Sequence, residues 1–302
     1  FDKLHDIKAG TAVGGGSLVI LGTVLLFSIL YPLASRLGVF IQTAYHPGYE
    51  IFVILFTFLS FGLLGFTDDI VKIFGKGQTG NGPLGIAYGL TRKQKFIAQW
   101  VLAFFIGYVI YKNLGIQIIH LPIVGMTLEL GWWYVPFSAL IIVSFTNAVN
   151  ITDGLDGLVS GLLLICLTAF AIIAAGNLDT PLSLFISLWI GGLIAFLYFN
   201  VYPARIFLGD TGALAFGAML AVIGLLTGSI VALIVIGGIF VIEIISSAIQ
   251  IFGWKFLKKP IFPMAPIHHA FLATGWPEPK IVMRAWITGI ILAIFGLWLA
   301  TI

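Results

Sequence analysis

Apolar residues come in long unbroken runs along this chain, and polar residues gather in the short stretches between them. A helix needs about 20 mostly apolar residues to cross a bilayer. Nine runs approach that length: Ser17–Arg36, Ile51–Phe66, Phe96–Tyr111, Trp133–Phe145, Leu158–Gly176, Leu182–Phe199, Ala213–Leu226, Ile230–Phe252 and Ile281–Ile302. They lack the period-two alternation of a barrel, and backbone groups in lipid are satisfied only by helices or by a closed barrel. The pattern therefore predicts an all-α integral membrane protein, a polytopic bundle of nine transmembrane helices forming one domain over residues 1–302. One segment differs. Ile116–Pro122 and Met126–Leu130 alternate in part around Val124-Gly125, which predicts a short external β-hairpin.

Composition agrees, with 60% hydrophobic, 14% aromatic and only 9% charged residues and a mean hydropathy of +1.12, all far from soluble globular domains. Membrane lipids are the expected surroundings, and no nucleic-acid partner is expected. The one cysteine, Cys166, lies within an apolar run, so neither a disulfide framework nor a thiolate metal site is expected. The opening residues are polar and no small-residue cleavage site follows, so no cleaved signal is read. Phe1–Lys8 instead resembles the middle of a loop, and a further span is expected before Phe1.

Basic residues in short loops mark the cytoplasmic side of a membrane protein. With the N-terminal segment cytoplasmic, nine spans put thirteen of the fifteen Lys and Arg residues inside, leaving Arg36 and Lys112 outside. Three acidic motifs then fall on that same face: Asp68-Asp69, Asp153 and Asp156 in Asn150-Ile151-Thr152-Asp153-Gly154-Leu155-Asp156-Gly157, and Asp210 in Phe207-Leu208-Gly209-Asp210-Thr211-Gly212. Carboxylates at a membrane edge are costly unless they meet water, cations or a metal. Acids, asparagines, glycines and lysines gathered on one face fit a divalent cation with a phosphorylated substrate. Magnesium takes one or two carboxylates together with phosphate oxygens, and phosphoryl transfer is catalysed mainly by positioning and charge neutralisation. Lys8, Lys72, Lys93 and Lys95 lie close by in sequence and suit a diphosphate. There is no Walker A sequence, and Gly14-Gly15-Gly16 reads equally as a phosphate loop or as a flexible entry into a helix.

Asp68-Asp69-Ile70-Val71-Lys72, the stretch Asn147–Gly157, Phe207–Gly212 and Met264-Ala265-Pro266-Ile267-His268-His269 resemble, in order, the signatures of the polyprenyl-phosphate N-acetylhexosamine-1-phosphate transferases. Within that superfamily, the histidine motif and Pro277-Glu278-Pro279-Lys280-Ile281-Val282 resemble the phospho-N-acetylmuramoyl-pentapeptide transferases. The resemblance implies ten transmembrane helices, a bacterial cytoplasmic (inner) membrane location with the active site on the cytoplasmic side, and Mg2+. It implies that UDP-MurNAc-pentapeptide and undecaprenyl phosphate are joined to give lipid I and UMP, and a homodimer is the expected assembly. Carried over by position, Asp68, Asp69, Asp210 and His268 would be catalytic, and Asp68, Asp69, Asp153 and Asp210 would surround the metal. Lys8, Lys72, Lys95, Asn147, Asn150, Asp153, Asn200, Gly209, His268 and His269 would bind substrate, with Gly154, Leu155, Asp156 and Phe207 around uracil. The lipid phosphate is expected to attack directly with Asp69 assisting; a covalent aspartyl intermediate is the competing mechanism. Two positions depart from the family: Val13 replaces a hydroxyl residue and Ala270 replaces a third histidine.

Simpler readings stand beside these. Asp153 suits a helix N-cap and Asp156 a first helical turn. Glu243 lies inside an apolar run and must be paired, protonated or turned to a watery groove; it reads as structural or as part of a lipid groove. Trp132-Trp133-Tyr134 reads as an interfacial aromatic belt. A related transferase using UDP-GlcNAc, and a transporter, are the alternative functions. Transport would place acids in mid-span, where only Glu243 stands.

Overall fold

The computed structural model describes residues 11–38, 41–74 and 91–302, excepting the side chains of residues 71–74 and 92. Eleven helices are found among them: α1 (Gly15–Arg36), α2 (Pro47–Phe74), α3 (Arg92–Asn113), α4 (Tyr134–Thr152), α5 (Leu158–Gly176), α6 (Thr180–Asn200), α7 (Gly209–Leu226), α8 (Ile230–Ile236), α9 (Gly238–Phe252), α10 (Ile267–Ala273) and α11 (Glu278–Thr301). Among the described residues nine apolar segments are long enough to span a membrane, one for each run read from the sequence. The expected hairpin is present, with β2 (Ile118–Leu121) antiparallel to β3 (Met126–Glu129). A two-residue parallel pair joins β1 (Ala12–Val13) to β4 (Ile206–Phe207). The chain is an all-α polytopic membrane protein.

Helix α7 is the axis of the bundle. It packs against α2 and α4 along its length and against α1 at one end, and every residue from Thr211 to Leu226 is buried. Small residues permit this: a Cβ on Gly16 of α1 would lie 2.4 Å from Gly212 Cα, and one on Gly217 would lie 2.5 Å from the Phe145 carbonyl of α4. Phe58, Phe185, Trp189 and Phe216 then fill the space between α2, α6 and α7, with Phe58 5.0 Å from Trp189 and Trp189 5.1 Å from Phe216 between ring centroids. Aromatic pairs at such spacing add stability beyond their buried area.

The sequence fails to foresee one break and one side-chain direction. The run Ile230–Phe252 is split at Gly237, where α8 stops and α9 starts at the next residue. A Cβ at Gly237 would meet the Phe145 ring at 2.7 Å, so the break lies where backbone touches a neighbouring aromatic. Hydropathy is blind to this because both halves are equally apolar. In the aromatic cluster, Trp132 and Trp133 are exposed as a belt requires, but Tyr134 is fully buried.

Local chemistry sets several ends. Thr91 and Gln94 form a reciprocal capping box at α3, with Thr91 N–H donating to Gln94 Oε1 at 2.9 Å. Asp179 caps α6 by accepting the Leu182 N–H at 3.0 Å.

Candidate active site

The floor of the site is the N-terminus of α7. The first N–H groups of a helix have no partner within it, and Asp69 from α2 supplies one. Its Oδ1 accepts the Asp210 N–H at 3.0 Å, while Oδ2 accepts the Thr211 N–H at 2.9 Å and the Thr211 hydroxyl at 2.6 Å. The helix dipole favours negative charge there, which explains how this carboxylate tolerates being buried. Gly209 is required beside it. Its φ is +76°, and a Cβ would lie 2.7 Å from Asp69 Oδ2.

Asp68 lies about 100° further round α2 and serves a different group. Lys95 of α3 places Nζ 3.1 Å from Asp68 Oδ2 and also contacts Asp210 Oδ2. Two carboxylates from α2 and α7 thus converge on one ammonium from α3. The helices come this close at Gly65, where a Cβ would lie 2.2 Å from the Asp210 carbonyl oxygen.

The four acids expected around one metal are therefore divided. Asp68 and Asp210 share a cation, both Asp69 oxygens are turned to α7, and Asp153 stands exposed at the C-terminal end of α4. Among the described residues no three Asp, Glu, His or Cys side chains form a metal-holding cluster. The remaining two-carboxylate arrangement fits magnesium, whose octahedron is commonly completed by water and substrate phosphate oxygens. That Asp68 and Asp210 already grip an ammonium shows a place built for positive charge.

One turn along α3 from Lys95, Gln99 is buried and accepts from Asn147 Nδ2 at 2.8 Å. Asn147 and Asn150 share a face of α4, three residues apart, so this polar row leads from the carboxylates to the loop after α4. There the two helix-end readings of the acids are corrected. Asp153 follows the C-terminus of α4 and Gly157, at φ +78°, precedes α5, leaving Asp156 in the loop before it. The Asp156 carboxylate accepts the Ala204 N–H at 2.9 Å, and its own N–H donates to Glu278 Oε1 at 2.6 Å. Leu155 is buried. The loop is thereby fastened to the α6–β4 connection and to α11.

Asn200 closes α6 with both ends of its amide engaged: Oδ1 accepts the Ser160 hydroxyl at 2.7 Å and Nδ2 donates to the Ile206 carbonyl at 2.9 Å. It shapes the wall that carries Phe207, which pairs with Val13 across the short parallel strands. Gly14-Gly15-Gly16 proves to be a helix entry pressed on this wall: Gly14 N–H donates to the Phe207 carbonyl at 3.2 Å and Gly16 N–H to the Leu208 carbonyl at 3.0 Å.

His268 and His269 open α10 and come against the loop after α4. A Cβ on Gly154 would lie 2.6 Å from His268 Nε2 and 3.4 Å from His269 Nε2. The histidine motif and the Asp153–Gly157 motif, over a hundred residues apart, are thus adjacent. Lys8 lies outside the described residues, and Lys72 lies on α2 with its side chain outside them.

Sequence reading gave no site role to Thr211, Gln99 and Glu278, and read Glu243 only as structural or as part of a lipid groove. Thr211 and Gln99 carried a faint signal, as polar residues beside motif residues or one helical turn from them. Glu278 and Glu243 act across long sequence separations, which no local pattern encodes.

A polytopic membrane bundle with an acidic, lysine-bridged centre at the helix ends of one face has the architecture of a membrane transferase acting on charged substrates. The chain belongs to the glycosyl transferase family 4, whose model matches residues 51–228, and within it to the phospho-N-acetylmuramoyl-pentapeptide-transferases. It is 36% identical to the protein of that name from Halalkalibacterium halodurans over 300 residues, covering 98% of this chain and 86% of the relative. The Bacillus subtilis protein is 36% identical over 298 residues, with 98% and 86% covered. That of Caldanaerobacter subterraneus subsp. tengcongensis is 38% identical over 289 residues, with 96% and 84% covered.

Proposed function

We propose that this chain transfers phospho-N-acetylmuramoyl-pentapeptide from its UDP-linked donor to undecaprenyl phosphate, forming lipid I and UMP for peptidoglycan synthesis. The observation that carries this is the meeting of Asp68, Lys95 and Asp210 over the capped N-terminus of α7. In this reading the face is cytoplasmic, as the thirteen-to-two bias of basic residues supports, in the bacterial inner membrane. The protein is taken to act as a homodimer, which native mass spectrometry in detergent tests.

The acceptor, a phosphate monoester with a second pKa near 6, is already largely a dianion at neutral pH. Its oxygen attacks the β-phosphorus of the donor; a new P–O bond forms, the bond to the bridging oxygen breaks, and UMP leaves with that oxygen. No dedicated base is required, and Asp69, turned to α7, acts by placing Asp210. Asp68 and Asp210 would hold Mg2+, which when bound neutralises charge on the diphosphate. Lys95 provides positive charge along the diphosphate path, a role that the family resemblance extends to Lys72 and Lys8. Asn147, Asn150 and Asp153 lead to the nucleotide, and Phe207 offers an aromatic face for uracil, with Gly154, Leu155 and Asp156 opposite. His268 and His269 meet the phosphorylated sugar.

The test supplies undecaprenyl phosphate with radiolabelled UDP-MurNAc-pentapeptide or UDP-GlcNAc in detergent with Mg2+. Lipid product from the muramoyl donor is expected. Product from UDP-GlcNAc alone would reassign the chain to the related transferases.

A further inference from the structure

Glu243 lies in α9, within an apolar stretch, and is 3% exposed. A carboxylate so placed demands a partner, and the structure supplies His268: Nδ1 stands 3.0 Å from Glu243 Oε2, and the His268 backbone N–H faces the same oxygen at 3.5 Å. The first contact has an ion pair's distance without a hydrogen bond's direction. The neighbourhood is fixed from behind. Ser246 and Ser247 donate to the Glu243 carbonyl at 2.8 and 3.0 Å, and Ser246 Oγ in turn accepts the Ile267 N–H at 3.2 Å. Ser246 therefore ties helix α9 to the start of α10.

The other ring nitrogen faces the donor side. His268 is 2% exposed, and Nε2 has no hydrogen-bond partner among the described residues. It lies where the missing side chain of Gly154 leaves room, 2.6 Å from the Cβ position. A buried polar nitrogen without a partner is costly, so its retention beside Asp153-Gly154 points to a ligand atom. If neutral, with Nδ1 protonated toward Glu243, the ring would present only a lone pair. Donation to a ligand oxygen requires the ring to carry a proton on Nε2. Glu243, His268 and Arg284 line one cavity of about 310 Å3, while the His269 ring lies tilted by 53° against His268, 4.2 Å away between ring centroids.

We infer that Glu243 is a positioning residue for nucleotide-sugar binding: its carboxylate orients the His268 ring so that Nε2–H donates, beside Gly154, to an anionic oxygen of the donor's diphosphate. This rests on the proposed transfer reaction and adds to it a charge relay from inside the membrane stretch to the substrate.

Steady-state kinetics of Glu243→Gln, His268→Gln and the double variant, with each substrate varied, tests it. Glu243→Gln keeps shape and polarity but removes the charge, and is expected to raise KM for UDP-MurNAc-pentapeptide about tenfold or more, the worth of one charge-assisted hydrogen bond. KM for undecaprenyl phosphate should stay within about twofold, and the double variant should be no worse than His268→Gln, since the two residues act as one unit. An unchanged donor KM, an equal rise for both substrates, or additive effects would overturn the role of Glu243. Should Glu243→Gln not fold, Glu243→Asp decides: donor KM nearer to wild type than that of His268→Gln supports the relay, and equal impairment overturns it. Failure of the wild type to use the muramoyl donor would instead sink the proposed reaction.

Discussion

Asp69 Oδ1 accepts the backbone N–H of Asp210 at 3.0 Å. Two acids 141 residues apart are thereby set in place by one hydrogen bond, and neighbouring Asp68 and Asp69 acquire different duties. Asp68 faces the shared ammonium, whereas Asp69 holds the helix that presents Asp210.

The first expectation separates these duties. Asp69→Ala removes three hydrogen bonds at a helix end, where loss of a cap costs about 1–2 kcal/mol, so both thermal stability in detergent and transfer should fall. Asp68→Asn removes half of a partly exposed pair of the kind worth about 0–1 kcal/mol, so transfer should fall with little change in melting temperature. Equal melting temperatures for the two variants would refute the division.

Lys95 occupies the position between Asp68 and Asp210 that a divalent cation would also favour. Lys95→Gln should strengthen Mg2+ binding in the absence of substrate, since the competing ammonium is gone, while slowing transfer. The check is the rise in melting temperature across a Mg2+ titration, which grows with affinity. A smaller rise in the variant than in the wild type would show that the carboxylates and Mg2+ do not meet there.

Gly65→Ala puts a methyl group against the Asp210 carbonyl, 2.2 Å from the Cβ position. Backbone cannot swing aside as a flexible side chain does, so overpacking of about 1–3 kcal/mol is expected. Gly22, whose Cβ would meet nothing within 4 Å, is the control: Gly22→Ala should leave the melting temperature unchanged or higher.

On the opposite face, burial pushes the Asp179 carboxyl above its ordinary pKa of 3.8. The folded state then holds this proton more tightly than the unfolded chain does. The associated stability is complete below the unfolded value and is lost as pH rises through the folded one. Asp179→Asn keeps an acceptor at the α6 N-cap and carries no charge. Relative to that variant, the wild type should lose melting temperature as pH rises above the ordinary carboxyl value of 3.8; parallel curves would contradict it.

The apolar runs announced the bundle because lipid leaves the backbone few choices, and turn chemistry announced the hairpin at Val124-Gly125. The acidic motifs announced the site's materials but not its wiring. Asp69 reads as a twin of Asp68, and only the third dimension shows that one faces Lys95 and the other the end of α7. Glu243 reads as an anomaly because its partner, His268, lies beyond a turn and a polar loop. The break at Gly237 escapes hydropathy, since it depends on contact with Phe145.

Asp210 stands on α7, whose apolar window is 89% buried, compared with 22% for α1. Protein rather than lipid surrounds that helix. A thicker or thinner bilayer strains helices that touch it, which tilt or bend to match. The outer helices absorb that adjustment, and the acidic centre keeps its depth and geometry as lipid composition changes.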